Sequence, residues 1–260
     1  MPPTLRILHV LARSGGTLVS KCLASMSEVV LLSEIHPRGV FFSPSRQAAS
    51  WFGLMTPEEV ERLDGPDHFP MAIAFLCERA GAQGRKLILR EWSHLDFYGL
   101  PFIDEPLWRS SLAETFTSDF TLRRAAVVRH PVEQLISMNL QVLMTDKPDL
   151  GRFLKGYRRF AEMAVETGFV RYEDVTMAPD ATLRHLSGLL GVTFDPAYAE
   201  RWSGWRKITG DGASSRGGAE PRIRPLPRWP ASPDLLARLG DHPDYRASLA
   251  LLGYEHPVEG

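Results

Sequence analysis

The residues with the most chemical potential stand near the N-terminus. Arg13-Ser14-Gly15-Gly16-Thr17-Leu18 places a cation, two hydroxyls and two adjacent glycines in one short run. Gly15 and Gly16 tolerate positive φ and have no Cβ to hold a ligand off the backbone. A turn of this kind, opening a helix, aims free N–H groups and the positive end of the helix dipole at one point. Such a point binds anions, phosphate above all. The Walker A pattern GxxxxGK[ST] is absent: no lysine precedes Thr17, and the cation, Arg13, comes before the turn instead. A second group runs from Arg129-His130-Pro131 to Ser137. It sets a cation at the end of an apolar run and a hydroxyl two turns into the next segment, a pairing that could grip one phosphate. A third set could move a proton: Glu34 and His36 follow one apolar run, Glu91 and His94 another.

These groups need elements to hold them. Ile7, Leu8, Val10 and Leu11 read as a buried central strand, and Leu18, Val19, Cys22 and Leu23 restart at helical spacing. Further strands are expected at 29–32, 86–90, 124–129 and 169–172, the last with Glu173 and Asp174 at its end. Glu34 and His36 flank Ile35, so in an extended segment they share a face. Thr56-Pro57-Glu58-Glu59 opens a short helix. Other helices are expected at 69–79, from Pro131 to about Met144, at about 150–167 and 180–190, and near 233–240 and 243–252. Residues 95–120 read as irregular and aromatic, and 202–229 as a long Gly-, Ser-, Arg- and Pro-rich loop. Strands alternating with helices imply an α/β fold, a three-layer sandwich with a central parallel sheet. One domain spans 1–260, with an irregular insert at about 38–120 and the loop at about 203–230.

Composition narrows the partners. With 260 residues, 44% of them hydrophobic, the chain can bury a substantial core. A formal net charge of −1 gives no basic field for nucleic acid. Cys22 and Cys77 sit in apolar helical patterns and read as buried free thiols, with no metal-ligand spacing and no disulfide framework. Lys21, one turn beyond Thr17, reads as a solvated helix residue. No stretch approaches the roughly 18 apolar residues of a membrane span. The expectation is a soluble, cytoplasmic protein without metal and without stable membrane insertion; its oligomeric state is not legible, since no heptads stand out.

Arg13-Ser14-Gly15-Gly16-Thr17-Leu18 followed by Arg129-x-Pro131 and Ser137 resembles the two nucleotide-binding signatures of the sulfotransferases that use 3′-phosphoadenosine 5′-phosphosulfate (PAPS). Val170-Arg171-Tyr172-Glu173-Asp174 and the segment from Leu186 to Gly191 are similar to that family's downstream strand and helix. The resemblance implies a P-loop NTPase-like fold and sulfuryl transfer from PAPS to a hydroxyl or amine, leaving adenosine 3′,5′-bisphosphate. By position, Ser14, Gly15, Gly16, Thr17 and Leu18 would present N–H groups to the 5′-phosphate and sulfate, and Arg13 takes the place of a lysine common in the family. Arg129 and Ser137 would hold the 3′-phosphate. Tyr172 falls where relatives place an aromatic near adenine, and Arg216 where a loop wraps the 3′-phosphate again. The resemblance is closer to bacterial members than to the cytosolic type. Bacterial members place a glutamate base about twenty residues past the turn, which ranks Glu34 first; a histidine after a central strand ranks His94 second. His36 and Glu91 stay open.

The acceptor is expected to be a small molecule, carbohydrate or lipid. Phe41, Phe42, Trp51, Phe52, Trp92 and Phe97 are candidate pocket walls. Two other readings keep the same fold: a small-molecule kinase, which the absent Walker lysine disfavours, and a non-catalytic nucleotide-binding descendant.

Overall fold

In the computed structural model, residues 2–39, 41–140, 147–210, 222–225 and 227–257 are described. Five parallel strands form one sheet in the order β2-β3-β1-β4-β5, with β1 at Thr4–Val10, β2 at Val29–Ile35, β3 at Lys86–Glu91, β4 at Thr121–Val128 and β5 at Phe169–Arg171. The central strand β1 pairs with β3 on one side and β4 on the other. The chain leaves β1 through helix α1 (Gly16–Ala24) towards β2, and leaves β4 through the helix at Pro131–Asn139 towards β5. The two connections run to opposite halves of the sheet. Such a switch point opens a crevice beyond the strand ends, the place where open α/β sheets take their ligands.

Strand alternation builds two cores. Leu8 and Val10 of β1, Leu31, Ile88, Ala125 and Val127 face α1 and the helix at Pro179–Leu190. Leu5 and Ile7, with Val30, Leu32, Leu87 and Leu89, face the opposite layer and pack against Ile73 and Leu76 of the helix at Phe69–Ala82. Ala126 and Val128 extend that second face onto Phe153, Tyr157 and Phe160 of the helix at Leu150–Thr167. Burial on both faces explains why the strands read as nearly continuous apolar runs. The sandwich with a central parallel sheet is therefore as expected.

Local differences have local causes. The insert is more helical than its irregular sequence suggests. It holds helices at Pro44–Phe52, Ser93–Tyr98 and Ser111–Phe116 besides the expected ones at Pro57–Leu63 and Phe69–Ala82. Ser43 and Ser110 cap two of them by accepting from Arg46 N–H and Ala113 N–H. Tyr172 does not end a strand. It begins a short helix, Tyr172–Met177, with Glu173 and Asp174 in its first turn, where carboxylates suit the helix dipole. Lys21 is 1% exposed rather than solvated, because the α1 face that carries it is covered. Burial, with Arg206 nearby, lowers its pKa. Cys22 is buried and Cys77 only half-buried, both as free thiols. Among the described residues no group of histidines, cysteines and carboxylates could hold a metal, and no helix is long and apolar enough to cross a membrane.

Candidate functional site

The Gly-rich turn sits beyond the end of β1. Arg13 and Gly15 both take positive φ, 64° and 89°, so the chain reverses within three residues. Ser14 is fully buried, and its hydroxyl donates to the Leu11 carbonyl at 2.8 Å. Gln134 pins the turn from outside, donating to the Ala12 carbonyl at 2.7 Å. Gly15 is the N-cap of α1 and has no side chain of its own to cap the N–H groups that follow it. The first N–H groups of a helix lack intrahelical acceptors and carry the positive end of its dipole, so this end of α1 is suited to an anion. A Cβ on Gly15 would meet the Tyr172 ring, and one on Gly16 would meet Val10. Both positions need glycine for close packing, and Gly15 for its φ as well.

The second signature closes on the first. Arg13 Nε donates to Ser137 Oγ at 3.1 Å. Arg129 donates through one terminal nitrogen to the Arg13 carbonyl at 3.2 Å and sets the other 3.5 Å from Glu133. Its guanidinium stands 5.2 Å from the centre of the Tyr172 ring. The Tyr157 hydroxyl fixes the strand end by donating to the Arg129 carbonyl at 2.5 Å. Arg13, Arg129, Ser137 and Tyr172 thus gather around one turn. Arg216 lies outside the described residues.

The four proton-acceptor candidates part company. Ser33 pairs with Arg90 and Ile35 with Glu91, which leaves Glu34 as the extra residue of a β-bulge with φ 57°. A bulge re-aims a side chain, and here it separates Glu34 from His36 instead of leaving them on one face. The Glu34 carboxylate lies 3.3 Å from Arg90 and is 16% exposed. A Cβ built on Gly210 would lie 3.3 Å from Glu34 Oε1 and 3.6 Å from Thr17 Oγ1, so base candidate and turn hydroxyl border the same point. His36 is buried. Its Nδ1 accepts from Arg38 N–H at 3.0 Å, which turns Nε2–H towards Asp96 at 3.1 Å.

Glu91 serves the scaffold. Its carboxylate accepts from His9 Nδ1 at 2.7 Å, from Ser93 at 2.7 Å and from Ser110. Arg124 Nε donates to His9 Nε2 at 3.1 Å, which fixes the tautomer that donates to Glu91. Burial alone would raise the Glu91 carboxyl. Neighbouring His9 and the three donors outweigh it and hold the group below the usual carboxylate range. Ser93 Oγ in turn accepts from Val10 N–H at 3.1 Å, tying this network to the strand end under the turn. His94 is pushed down to about 3 by burial, then by Arg90 and His36. Its Nε2 accepts from the Trp92 indole at 2.6 Å, so that lone pair is engaged.

The aromatic candidates divide. Phe41, Phe42 and Trp92 join Phe102 in one edge-to-face cluster, with Phe41 65% and Phe102 40% exposed. Phe97 is core, packed on Phe160, and Trp51 and Phe52 lie against the Trp205–Lys207 segment. Sequence reasoning passed over Arg90, Gln134 and Thr209. Arg90 carried a signal, a charge ending an apolar strand; Thr209 carried none.

No family model and no curated protein matches the chain. Solved structures do. A sulfotransferase domain from the Synechococcus PCC 7002 olefin synthase aligns at 18% identity and a TM-score of 0.57, covering 98% of this chain and 96% of that one. One from the curacin biosynthetic pathway aligns at 18% identity and 0.56, covering 97% and 99%. A sulfotransferase from Alicyclobacillus acidocaldarius gives 12% identity and 0.51, covering 98% of each. Over nearly its whole length, then, the chain has the fold of sulfotransferases.

Proposed function

We propose that this protein transfers a sulfuryl group from PAPS to a hydroxyl or amine of a small-molecule, carbohydrate or lipid acceptor. The observation that carries this reading is the convergence of Arg13, Arg129 and Ser137 on one glycine-capped helix N-terminus. A single turn of N–H donors suits one phosphate. A turn braced by a second cation–hydroxyl pair suits a nucleotide phosphorylated at both ends.

PAPS supplies the activated sulfuryl group, whose bond to the 5′-phosphate oxygen breaks as the acceptor oxygen or nitrogen bonds to sulfur. The N–H groups after Gly15 and the Arg13 guanidinium stabilise the negative charge that grows on the departing phosphate. One such preorganised donor typically contributes about 3–4 kcal/mol. Thr17 adds a hydroxyl beside the transferring group. Arg129 and Ser137 hold the 3′-phosphate, with Tyr172 alongside the base. Glu34 takes the acceptor proton: it is the candidate that borders Thr17, whereas Glu91 is saturated by donors and the His94 Nε2 is taken by Trp92. The exposed Phe41 and Phe102, packed on the buried Trp92, offer an apolar wall on the acceptor side.

The test is differential binding and transfer. Adenosine 3′,5′-bisphosphate should raise the melting temperature more than ATP does, as linkage requires, and labelled sulfate from PAPS should appear on members of an acceptor panel. Equal stabilisation by both nucleotides, with magnesium-dependent ATP turnover, would replace this reading with a kinase. Tight bisphosphate binding with no transfer to any acceptor or to water would leave a binding module.

A further inference from the structure

Arg90 is a charged residue at the end of a buried strand, its side chain only 5% exposed. One of its terminal nitrogens faces three oxygens: Glu34 Oε1 at 3.3 Å, Thr209 Oγ1 at 3.1 Å and the Thr209 carbonyl at 3.3 Å. Thr209 is held from the other side by Ser33, whose hydroxyl lies 2.7 Å from Thr209 Oγ1 and accepts from its N–H at 3.3 Å. Ser33 is itself clamped, its N–H and carbonyl both bonded to the Gln47 amide at 2.7 and 2.8 Å. The segment Trp205–Gly210 is therefore a strap fastened across the ends of β2 and β3. It delivers Gly210 to the point that Glu34 and Thr17 border.

A guanidinium is costly to bury unless its donors find acceptors. Burial lowers the Arg90 pKa, while Glu34 opposes the change. The bulge at Glu34 gives that side chain no strand partner to fix its direction. Glu34 and the strap are thus oriented by the same cation.

We infer that Arg90 is a positioning residue that aims the Glu34 carboxylate at the acceptor and makes that aim depend on the seated Thr209 strap. This rests on Glu34 being the proton acceptor. A conservative Lys keeps the charge, but its ammonium stands one atom nearer the backbone than the Arg90 nitrogen that meets all three oxygens, so it should replace Arg90 only in part.

The experiment compares Arg90→Met, Arg90→Lys, Glu34→Gln and the Arg90→Met/Glu34→Gln double variant. Three readouts are used: adenosine 3′,5′-bisphosphate affinity by calorimetry, PAPS turnover with water or the best panel alcohol as acceptor, and hydrogen exchange. Arg90→Met should leave the bisphosphate Kd within about twofold, lower kcat at least tenfold, and be partly rescued by Arg90→Lys. The double variant should be no slower than Glu34→Gln, because both changes remove one function. Exchange at 33–35 and 208–210 should rise together in Arg90→Met. Unchanged exchange in both segments, wild-type turnover in Arg90→Met, or losses that multiply in the double variant would overturn the inference. Wild-type turnover in Glu34→Gln would instead remove Glu34 as the base, and the exchange readout would still decide whether Arg90 couples the two segments.

Discussion

Arg13 Nε donates to Ser137 Oγ across 3.1 Å, joining two residues 124 positions apart in the chain. The bond crosses from the turn after β1 to the helix after β4, the two elements that the switch point sends in opposite directions. Arg129 repeats the crossing by donating to the carbonyl of the same Arg13. The two segments thus meet at one turn.

That pairing predicts unequal losses of nucleotide affinity. Arg129→Ala removes a charge-assisted contact, about 1.5–3 kcal/mol, and should weaken adenosine 3′,5′-bisphosphate binding by roughly 10- to 150-fold. Ser137→Ala removes a neutral one and should cost less than about tenfold. Binding of a nucleotide lacking the 3′-phosphate should fall by less, through loosening of the Arg13 turn alone. Isothermal titration with both ligands checks the ranking; equal losses for the two nucleotides would refute the assignment to the 3′-phosphate.

Gly15 and Gly53 offer a controlled comparison. Both have positive φ, 89° and 63°, but an added Cβ at Gly53 meets nothing within 4 Å, whereas at Gly15 it meets the Tyr172 ring. Gly53→Ala should cost about 1–2 kcal/mol of backbone strain. Gly15→Ala should cost more in urea denaturation, and it should also weaken nucleotide binding because Tyr172 must move. A smaller loss at Gly15 than at Gly53 would contradict the packing.

Much of this site was legible in the sequence because its signals are local. Gly15 and Gly16 must follow a strand and open a helix to mean anything, and Ile7 to Leu11 and Leu18 to Leu23 supply both. Pro131 marks a first helical turn by its fixed φ and missing N–H. What stayed hidden depends on tertiary contact. The bulge at Glu34 is set by the register of β2 against β3, which no spacing within 29–36 encodes. Glu91 and His94 looked alike as strand-end groups; their difference lies in Ser110, His9 and Trp92, which only the fold brings to them. Lys21 looked solvated because its one-turn context says nothing of the layer covering it. The helices at Pro44–Phe52 and Ser111–Phe116 were missed because aromatic and polar residues mix there without a clear apolar stripe.

The His9–Glu91 pair predicts an acid-sensitive scaffold. A hydrogen bond to a charged group contributes about 1.5–3 kcal/mol, and Glu91→Gln, which sets an amide N–H against the donors around the carboxylate, should cost at least that at neutral pH. The Glu91 carboxyl is depressed in the folded state, so its stabilisation is fully present above the ordinary glutamate value of 4.5. It is lost as pH falls below that value towards the folded one. The stability gap between wild type and Glu91→Gln should therefore be constant from pH 6 to about 5 and shrink below about 4.5. Urea midpoints across that range test it, and a gap that widens on acidification would reverse the sign.

The proton acceptor can be identified by the acidity of the acceptor. If Glu34 takes the proton, Glu34→Gln should lower kcat by about 10²–10⁴-fold with an aliphatic alcohol while leaving bisphosphate affinity intact. With a nitrophenol already ionised at the assay pH there is no proton to remove, and the loss should be far smaller. His94 makes the opposite case. Burial, Arg90 and His36 push it down to about 3, so it stays neutral across the physiological range, with Nε2 occupied by Trp92. His94→Gln should therefore leave the shape of the kcat–pH profile unchanged between pH 5.5 and 8, and no step near the ordinary histidine value of 6.5 should vanish with it. A tenfold kcat loss in His94→Gln that disappears with the ionised phenol would transfer the role of base from Glu34 to His94.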